Sequence, residues 1–301
     1  MLRRFLDSDF AYAFRRSPVA VISTLVVVVV VLAALLAPYL APHNPFDLAS
    51  LDLMDSLKPP VFSADGDSAF PLGTDDQGRD VLSTIMYGTR ISLEVAVLAI
   101  GFSLVVGISI GLLAGYAGGA VDAVLMRIVD VQLTFPAILI ALLVDGVVRA
   151  LLPREMQEAL EIDVIVFAIG ISRWPQFART VRGSTLIERG RDYVMAARVI
   201  GISSARIMIS HILPNVLGPV LVIATLNLGL AILDEATLSF LGVGLPPTEP
   251  SLGTLIRIGN NFLFSGEWWI TIFPGLTLAA MVLSINLLGD WLRDALNPRL
   301  R

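Results

Sequence analysis

Residues 191–214 read RDYVMAARVIGISSARIMISHILP, a polar, arginine-bearing stretch between two strongly apolar segments. We refer to these residues as the polar island. Asp192 can accept a backbone N–H at the start of a first helix, and Gly201 can adopt the left-handed conformation that ends it. Pro214 has no N–H to lose in a first helical turn, so it suits the start of the apolar segment that follows. The stretch therefore predicts a helix, a break and a second helix.

One side of the first predicted helix has a small-residue face. At spacings of i, i+3, i+4 and i+7 it collects Tyr193, Ala196, Ala197 and Ile200. Residues at this spacing lie on the same side of a helix. One aromatic, two alanines and one aliphatic side chain let a groove on another protein approach closely. The pattern favours docking over catalysis.

The composition excludes a water-soluble globular chain. The sequence has 301 residues, of which 55% are hydrophobic and 16% charged, and the mean hydropathy is +0.79. Several windows exceed the roughly 18–20 apolar residues that cross a hydrocarbon core of about 30 Å. The predicted fold class is therefore an all-α, multi-pass membrane protein.

Two absences in the sequence restrict the chemistry. There is no cysteine, which excludes disulfides and thiolate catalysis. The sole lysine is Lys58, and it does not lie in the Gly-Lys-Ser/Thr pattern of a phosphate-binding loop. Any ATP that drives this protein must therefore be hydrolysed on another chain.

Six membrane spans are expected. The first is too long for the apolar region of a signal peptide, about 7–15 residues, and proline rather than a small-residue cleavage site follows it, so it is expected to remain uncleaved. The third is expected to kink at Pro136. The expected spans are 19–40, 91–115, 121–152, 163–181, 215–233 and 270–288.

Glycines recur along the second span. Gly107, Gly111 and Gly115 are four residues apart, a spacing that lets another helix come close. The alternative is that these glycines face lipid and are merely tolerated. The ionisable residues of spans three and four are expected to have structural roles; they are Arg127, Asp130, Asp145 and Arg173.

The segments outside the spans differ in charge. Segment 41–89 holds eight aspartates but lacks the ligand spacing of a calcium loop, so a solvated acidic surface is expected. Segment 236–267 contains apolar pieces too short to span, expected as surface or re-entrant helices, and Trp268 and Trp269 are expected at the membrane interface.

The arginine distribution predicts the orientation. Segments 1–18, 176–212 and 292–301 carry 13 basic residues, whereas 41–89, 150–162 and 236–268 carry 4. Basic residues concentrate on the cytoplasmic side of membrane proteins. Both termini and the polar island are therefore expected in the cytoplasm.

The polar island resembles the coupling motif of ABC importer permeases. That motif reads Glu-Ala-Ala, three residues, Gly, and about eleven further residues to Leu-Pro. Met195 stands where the family has Glu. The matching residues are Ala196, Ala197, Gly201, Leu213 and Pro214.

Four further segments are similar to the dipeptide/oligopeptide/nickel branch of that family, in particular to the shorter, six-span permease of its heterodimer. They are PLGTDDQGRDVLS (71–83), AGYAGG (114–119), FLGVG (240–244) and GDWLRDALNP (289–298). The resemblance runs in one register over roughly residues 15–300.

The resemblance implies the architecture of a type I ABC importer in the bacterial inner membrane. It implies a second permease subunit, two cytoplasmic ATPases that bind ATP and Mg, and an extracytoplasmic substrate-binding protein. This chain would have no catalytic residue, metal or nucleic-acid partner. Peptides are the expected substrate; nickel or another metal chelate, or glutathione, is the alternative, and an ion-coupled secondary transporter with a mid-membrane acid such as Asp145 is a remote one.

The same resemblance suggests site residues and domains. Contact with the ATPase is expected at Tyr193, Ala196, Ala197, Gly201, Leu213 and Pro214. A gate or a contact with the binding protein is suggested for Asp234, Glu235, Asp75, Asp76 and Arg79, with a plain interfacial boundary as the alternative for the first two. Residues 1–88 are expected to form an N-terminal arm, the first span and the acidic segment. Residues 89–301 would form a five-helix permease core with coupling helices at about 190–212.

Overall fold

The computed structural model describes residues 9–47, 51–244 and 250–295. Within these ranges the chain is helical, and its one β-type contact is an isolated bridge between Thr74 and Asp80. A 3₁₀ turn forms at Leu53–Asp55 and a π-helical turn at Ile207–Ile212. The α-helices are α1 (Asp9–Arg16), α2 (Pro18–Leu35), α3 (Ala37–Leu40), α4 (Val81–Ala117), α5 (Gly119–Leu133), α6 (Ala137–Leu151), α7 (Arg154–Ala159), α8 (Glu161–Glu188), α9 (Asp192–Val199), α10 (Ser204–Arg206), α11 (Leu213–Phe240), α12 (Leu252–Asn260) and α13 (Trp269–Ala295).

Four helical stretches of the described chain are long and apolar enough to cross a membrane: α2, α4, the continuous stretch Ser204–Phe240, and α13. A fifth span exists if α5 and α6 are counted together. Helix α8 has 28 residues, a length of about 42 Å at 1.5 Å per residue, but it carries many charges. The multi-pass helical fold is confirmed, whereas the count of six and the orientation of the termini stay predictions. Outside the described residues lie the arginines 3, 4, 299 and 301 used for the orientation, and the last three residues of the fourth matching segment.

The third span departs from its prediction. Instead of one kinked helix, α5 ends at Leu133 and α6 begins at Ala137, with an angle of 91° between them. Pro136 lies at the break, and proline can neither donate to the helical ladder nor fit inside it without a clash. The expected kink at Pro136 is therefore a full break.

Helix α4 extends beyond the predicted second span at its N-terminal end, where Asp80 caps it. Asp80 accepts hydrogen bonds from the backbone N–H of Ser83 (2.8 Å) and from its hydroxyl (2.5 Å). An aspartate at this position satisfies N–H groups that a helix start leaves unpaired. Helix α4 thus begins at Val81, before the predicted start of the span at residue 91, and has 37 residues.

The chain forms two compact units. One comprises residues 1–96, 154–162 and 229–288, and the other comprises 97–153, 163–228 and 289–301. Several helices contribute to both units, and the expected division at residue 88 stays a prediction.

In the second unit, the glycine ladder of α4 lies against α8. A Cβ added at Gly107 would be 2.5 Å from Cβ of Phe177, and one at Gly111 would be 2.6 Å from the carbonyl oxygen of Ala178. At Gly115 the added atom would be 2.7 Å from Cβ of Thr185. The predicted close helix contact is confirmed, because no larger residue fits at these three positions without a shift of α8.

In the first unit, α12 is a short helix packed on its neighbours. A Cβ added at Gly253 would be 2.3 Å from the carbonyl oxygen of Ala236, and one at Gly259 would be 2.6 Å from the carbonyl carbon of Ile270. With nine residues, α12 is about 14 Å long, too short to span, as predicted. Trp269 is buried and donates from Nε1 to the carbonyl of Thr74 (3.0 Å), and its position at the membrane interface stays a prediction.

The helix contact predicts a position-specific effect of alanine. Gly111→Ala should lower the thermal stability of the purified protein by about 1–3 kcal/mol, as overpacking does. Gly101→Ala is the matched control on the same helix, because a Cβ there meets nothing within 4 Å. Equal melting temperatures for the two variants in detergent would contradict the ladder.

Candidate functional site

The first island helix, α9, begins at Asp192, the residue predicted to cap it, and so starts one residue earlier than expected. Arg191 is the capping residue in extended conformation, and it makes no side-chain capping bond. Asp192 is therefore the first helical residue instead of the cap. Its carboxylate still lies at the positive end of the helix dipole, where a negative charge is stabilising.

The break after α9 forms as predicted. Gly201 has a φ of +79°, which disfavours residues with a Cβ. Its N–H donates to the carbonyl of Arg198 and the next N–H donates to the carbonyl of Ala197, both at 3.0 Å. This pair of bonds is the Schellman arrangement that closes a helix. The turn redirects the chain into α10 and the π-helical turn.

Pro214 lies where the second island helix joins the long span. The N–H of Leu213 donates to the carbonyl of Met208, five residues earlier. Because Pro214 has no N–H, the carbonyl four residues before it lacks its usual helical donor, and the ladder widens there to a π-turn. Leu213 is half-buried and Pro214 exposed. The helical path runs without interruption from α10 into α11.

The predicted docking face of α9 needs one correction. Ala197 is buried together with Val194, three residues earlier, so this side faces the protein interior. Tyr193, Ala196 and Ile200 are exposed, as predicted. The sequence interpretation missed Val199, which is 87% exposed.

We call Tyr193, Ala196, Val199 and Ile200 the exposed face of α9. The signal for Val199 was its place in the last turn before the helix-ending Gly201, since no further helical turn covers side chains there. Met195, in the position that the family motif gives to Glu, is also exposed. The negative charge that a glutamate would carry at position 195, and that this chain lacks, is therefore a surface charge.

Tyr193 connects α9 to two membrane helices. Its hydroxyl donates to Oε2 of Glu188 at the end of α8 (2.6 Å) and accepts from Nδ2 of Asn215 at the start of α11 (3.1 Å). Partial burial, and then the hydrogen bond to the Glu188 carboxylate, raise the pKa of the Tyr193 phenol. The phenol thus stays protonated and remains a donor at neutral pH.

Two arginines, one just before the island and one inside it, contact the end of α4. Nη1 of Arg189 donates to the carbonyls of Gly115 (3.1 Å) and Tyr116 (3.2 Å), which lie in the last turn where helical carbonyls lack partners. The guanidinium of Arg198 lies 4.9 Å from the centroid of the Tyr116 ring, within the range of a cation–π contact. The Tyr116 hydroxyl in turn contacts Oγ of Ser204 at 3.4 Å.

Two arginines of α8, Arg179 and Arg182, form ion pairs with aspartates of α5. Arg182 donates from Nε and Nη2 to both carboxylate oxygens of Asp122, at 2.9 and 2.7 Å, a bidentate pair of the strong kind. Arg179 pairs with Asp130. Sequence reasoning counted these arginines only for topology. Their spacing of three residues on one helix was the signal that they share a face.

Three ionisable residues of the third and fourth spans, Asp130, Asp145 and Arg173, have polar partners, in line with the structural roles expected for them. Asp145 accepts from Nε of Arg149 at 2.7 Å, and Arg173 lies 3.4 Å from Oδ1 of Asn227. Among the described residues no cluster of three or more His, Asp or Glu side chains has metal-binding geometry.

The second predicted site, around Asp75, forms a buried turn. Asp75 accepts from the N–H groups of Gln77 and Arg79 through Oδ1 and from Nε of Arg79 through Oδ2 (2.6 Å). Both Asp75 and Arg79 are buried. Their side chains thus fold the segment itself, and the gate or binding-protein contact suggested for these two residues stays a prediction. Asp76 is half-buried, and burial, followed by the charge of Asp75, raises its pKa.

Glu235 is also buried instead of presented at a surface. Its carboxylate accepts from the hydroxyls of Ser92 on α4 and Ser239 on α11, both at 2.7 Å. Oγ of Ser92 also accepts from the N–H of Leu252 at the start of α12 (3.3 Å). This cluster joins three helices of the first unit, and the gate or binding-protein contact suggested for Glu235 stays a prediction. Asp234 is half-buried.

The buried carboxylate predicts a stability effect. Glu235→Ala leaves the hydroxyls of Ser92 and Ser239 without their acceptor, at a cost of about 1–3 kcal/mol for each buried group. Glu235→Gln is the matched control, since its amide oxygen still accepts one bond. Thermal unfolding in detergent should rank wild type above Gln and Gln above Ala. An alanine variant as stable as wild type would show that the cluster contributes nothing.

Long apolar helices that carry an exposed helix tied by polar bonds to several of them place the chain among multi-pass membrane proteins with a surface suited to docking. Residues 107–301 match the family described as "Binding-protein-dependent transport system inner membrane component". Residues 8–60 match the "N-terminal TM domain of oligopeptide transport permease C". The chain belongs to this family of permeases and is a multi-pass protein of the bacterial inner membrane.

Relatives and a solved structure agree with this assignment. The chain is 42% identical over 294 residues to the dipeptide transport system permease protein DppC of Escherichia coli, covering 97% of this chain and 93% of that one. It is 38% identical over 293 residues to DppC of Haemophilus influenzae, covering 97% and 95%. A chain of the MetNI methionine ABC transporter in an inward-facing conformation superposes with a TM-score of 0.56 at 18% identity, over 71% of this chain and 96% of that one. The fold is that of the transmembrane subunit of a type I ABC importer.

Proposed function

We propose that this chain is one of two permease subunits of an ATP-driven importer of dipeptides and oligopeptides. Two cytoplasmic ATPases and an extracytoplasmic substrate-binding protein complete the complex. The observation that carries the proposal is the exposed apolar face of α9, on a helix bonded to three others. A surface helix with such a face is suited to docking, and its bonds give it a firm base.

The bonds of the island suggest how ATP closure moves the permease. Tyr193 joins α9 to α8 and α11, and Arg189 joins α8 to the end of α4. An ATPase that displaces α9 would move the attached ends of α4, α8 and α11 together. Packed interfaces respond to such displacements by rigid-body rotation between discrete arrangements.

ATP and Mg are proposed to bind to the partner ATPases, and this chain to be non-catalytic. Nζ of Lys58, the sole lysine, pairs with Asp55 at 2.7 Å and Asp67 at 3.0 Å. This lysine is therefore engaged in a turn of the acidic segment, away from any glycine-rich phosphate loop.

Peptides are the proposed substrate because the relatives named above are dipeptide permeases. Nickel, another metal chelate or glutathione is the alternative within the same architecture. The ion-coupled alternative would need a free acid in the membrane, and Asp145 is paired with Arg149, which favours the ATP-driven reading.

The experiment combines reconstitution with the island glycine. The complex in proteoliposomes should take up labelled dipeptide only with ATP and the binding protein, and the isolated chain should hydrolyse no ATP. Gly201→Val should reduce uptake more than tenfold, because valine strongly disfavours a φ of +79°. Gly201→Asn is the control, since asparagine tolerates the left-handed conformation and a Cβ there meets nothing within 4 Å of the chain.

Three results would contradict the proposal. They are ATP-independent uptake, ATP hydrolysis by the isolated chain, and full uptake by the valine variant. Uptake of nickel or glutathione in place of dipeptide would support the alternative substrates and leave the coupling intact.

A further inference from the structure

The 3₁₀ turn Leu53–Asp55 exposes two large apolar side chains. Leu53 is 77% exposed and Met54 85% exposed. They are adjacent, and the orientation predicted from the arginine distribution puts their segment on the extracytoplasmic side. Single exposed apolar residues are common on any protein, so exposure alone does not identify a partner.

Hydrogen bonds and an ion pair hold the turn at both of its ends. Asp52 caps it by accepting from the N–H of Met54 (2.9 Å). The carbonyl of Asp55 accepts from the hydroxyl of Thr74 (2.5 Å), and Lys58 pairs with the Asp55 carboxylate. A Cβ added at Gly78 would be 2.4 Å from the carbonyl oxygen of Asp52, so the buried turn around Asp75 supports this one directly.

The backbone next to the turn also carries strain. Leu57 has a φ of +58°, unfavourable for a branched apolar residue, and its N–H donates to the carbonyl of Asp75 (3.0 Å). Strained conformations persist where the surroundings over-determine them, and they collect at functional positions. A rigid, presented turn loses little conformational entropy on binding.

The charge around the apolar pair indicates what covers it. Segment 41–89 has eight aspartates against two basic residues. Arg79 is buried against Asp75, and Lys58 is paired with Asp55 and Asp67. The exposed carboxylate of Asp52 therefore lies next to Leu53 and Met54. Neither basic residue of this segment is as exposed as Asp52. A surface of this kind repels anionic headgroups and attracts a basic protein face.

We propose that Leu53 and Met54 form a docking point for the extracytoplasmic binding protein, entering an apolar pocket rimmed by basic side chains. The apolar pair supplies the buried centre of the contact and Asp52 its charged edge, the division seen in protein interfaces. The inference rests on the proposed function, which supplies the binding protein.

The test measures the affinity of the binding protein for the purified complex in detergent. A Leu53→Ser, Met54→Ser double variant should weaken binding at least tenfold, while assembly and basal ATP hydrolysis remain unchanged. Asp52→Asn keeps a capping oxygen for the N–H of Met54 and removes only the charge. It should weaken binding about threefold at low salt, with the difference lost at high salt because exposed charges are screened.

Three results would overturn the docking point, and a fourth would refute the proposed function. Unchanged affinity of the double variant would overturn the docking point. Loss of assembly in that variant would overturn it as well, by placing the turn against the second permease. Binding of the turn to anionic vesicles instead of the binding protein would also overturn the docking point, by showing that the turn contacts lipid. A wild-type complex that binds no such protein would refute the proposed function itself.

Discussion

The close approach of two helix backbones at Gly107, Gly111 and Gly115 is the constraint on which the polar island depends. Association of helices within a membrane gains little from the hydrophobic effect, so it relies on close packing and polar contacts. The three glycines remove the side chains that would otherwise keep α8 away from α4. Over these turns the two helices run together towards the island.

The polar bonds of the island become possible at the end of that contact. Beyond Gly115 the last carbonyls of α4 lie within reach of Arg189, and the ring of Tyr116 lies under Arg198. If α8 were displaced by a side chain at the ladder, these contacts would lengthen together. The exposed face of α9 owes its fixed position to packing several turns away inside the membrane helices.

Much of this could be predicted from the sequence because it depends on local rules. Apolar length predicted the long apolar helices α2, α4, α11 and α13, four-residue spacing predicted the glycine ladder, and a glycine after α9 predicted the left-handed break. These features follow from the neighbours of each residue along the chain. Helical spacing likewise led to the exposed Tyr193 and Ala196.

What could not be predicted depends on partners distant in sequence. Whether Asp75 and Glu235 are exposed is decided by the segments that fold over them, and helical spacing alone did not reveal that Ala197 faces the interior with Val194. The bidentate pair of Arg182 with Asp122 joins residues 60 positions apart. The break at Pro136 was expected as a kink, because local reasoning gives the site of a bend and not its angle.

The central claim, that the exposed face of α9 docks onto an ATPase, is tested most directly by thiol accessibility. The chain has no cysteine, so Ala196→Cys introduces a single reactive site on the exposed face. In inverted membrane vesicles, a maleimide reagent should label this variant without the ATPase subunits and fail to label it when they are bound. Val194→Cys, on the buried side, should resist labelling in both preparations. Equal labelling of Ala196→Cys with and without the ATPases would contradict the account.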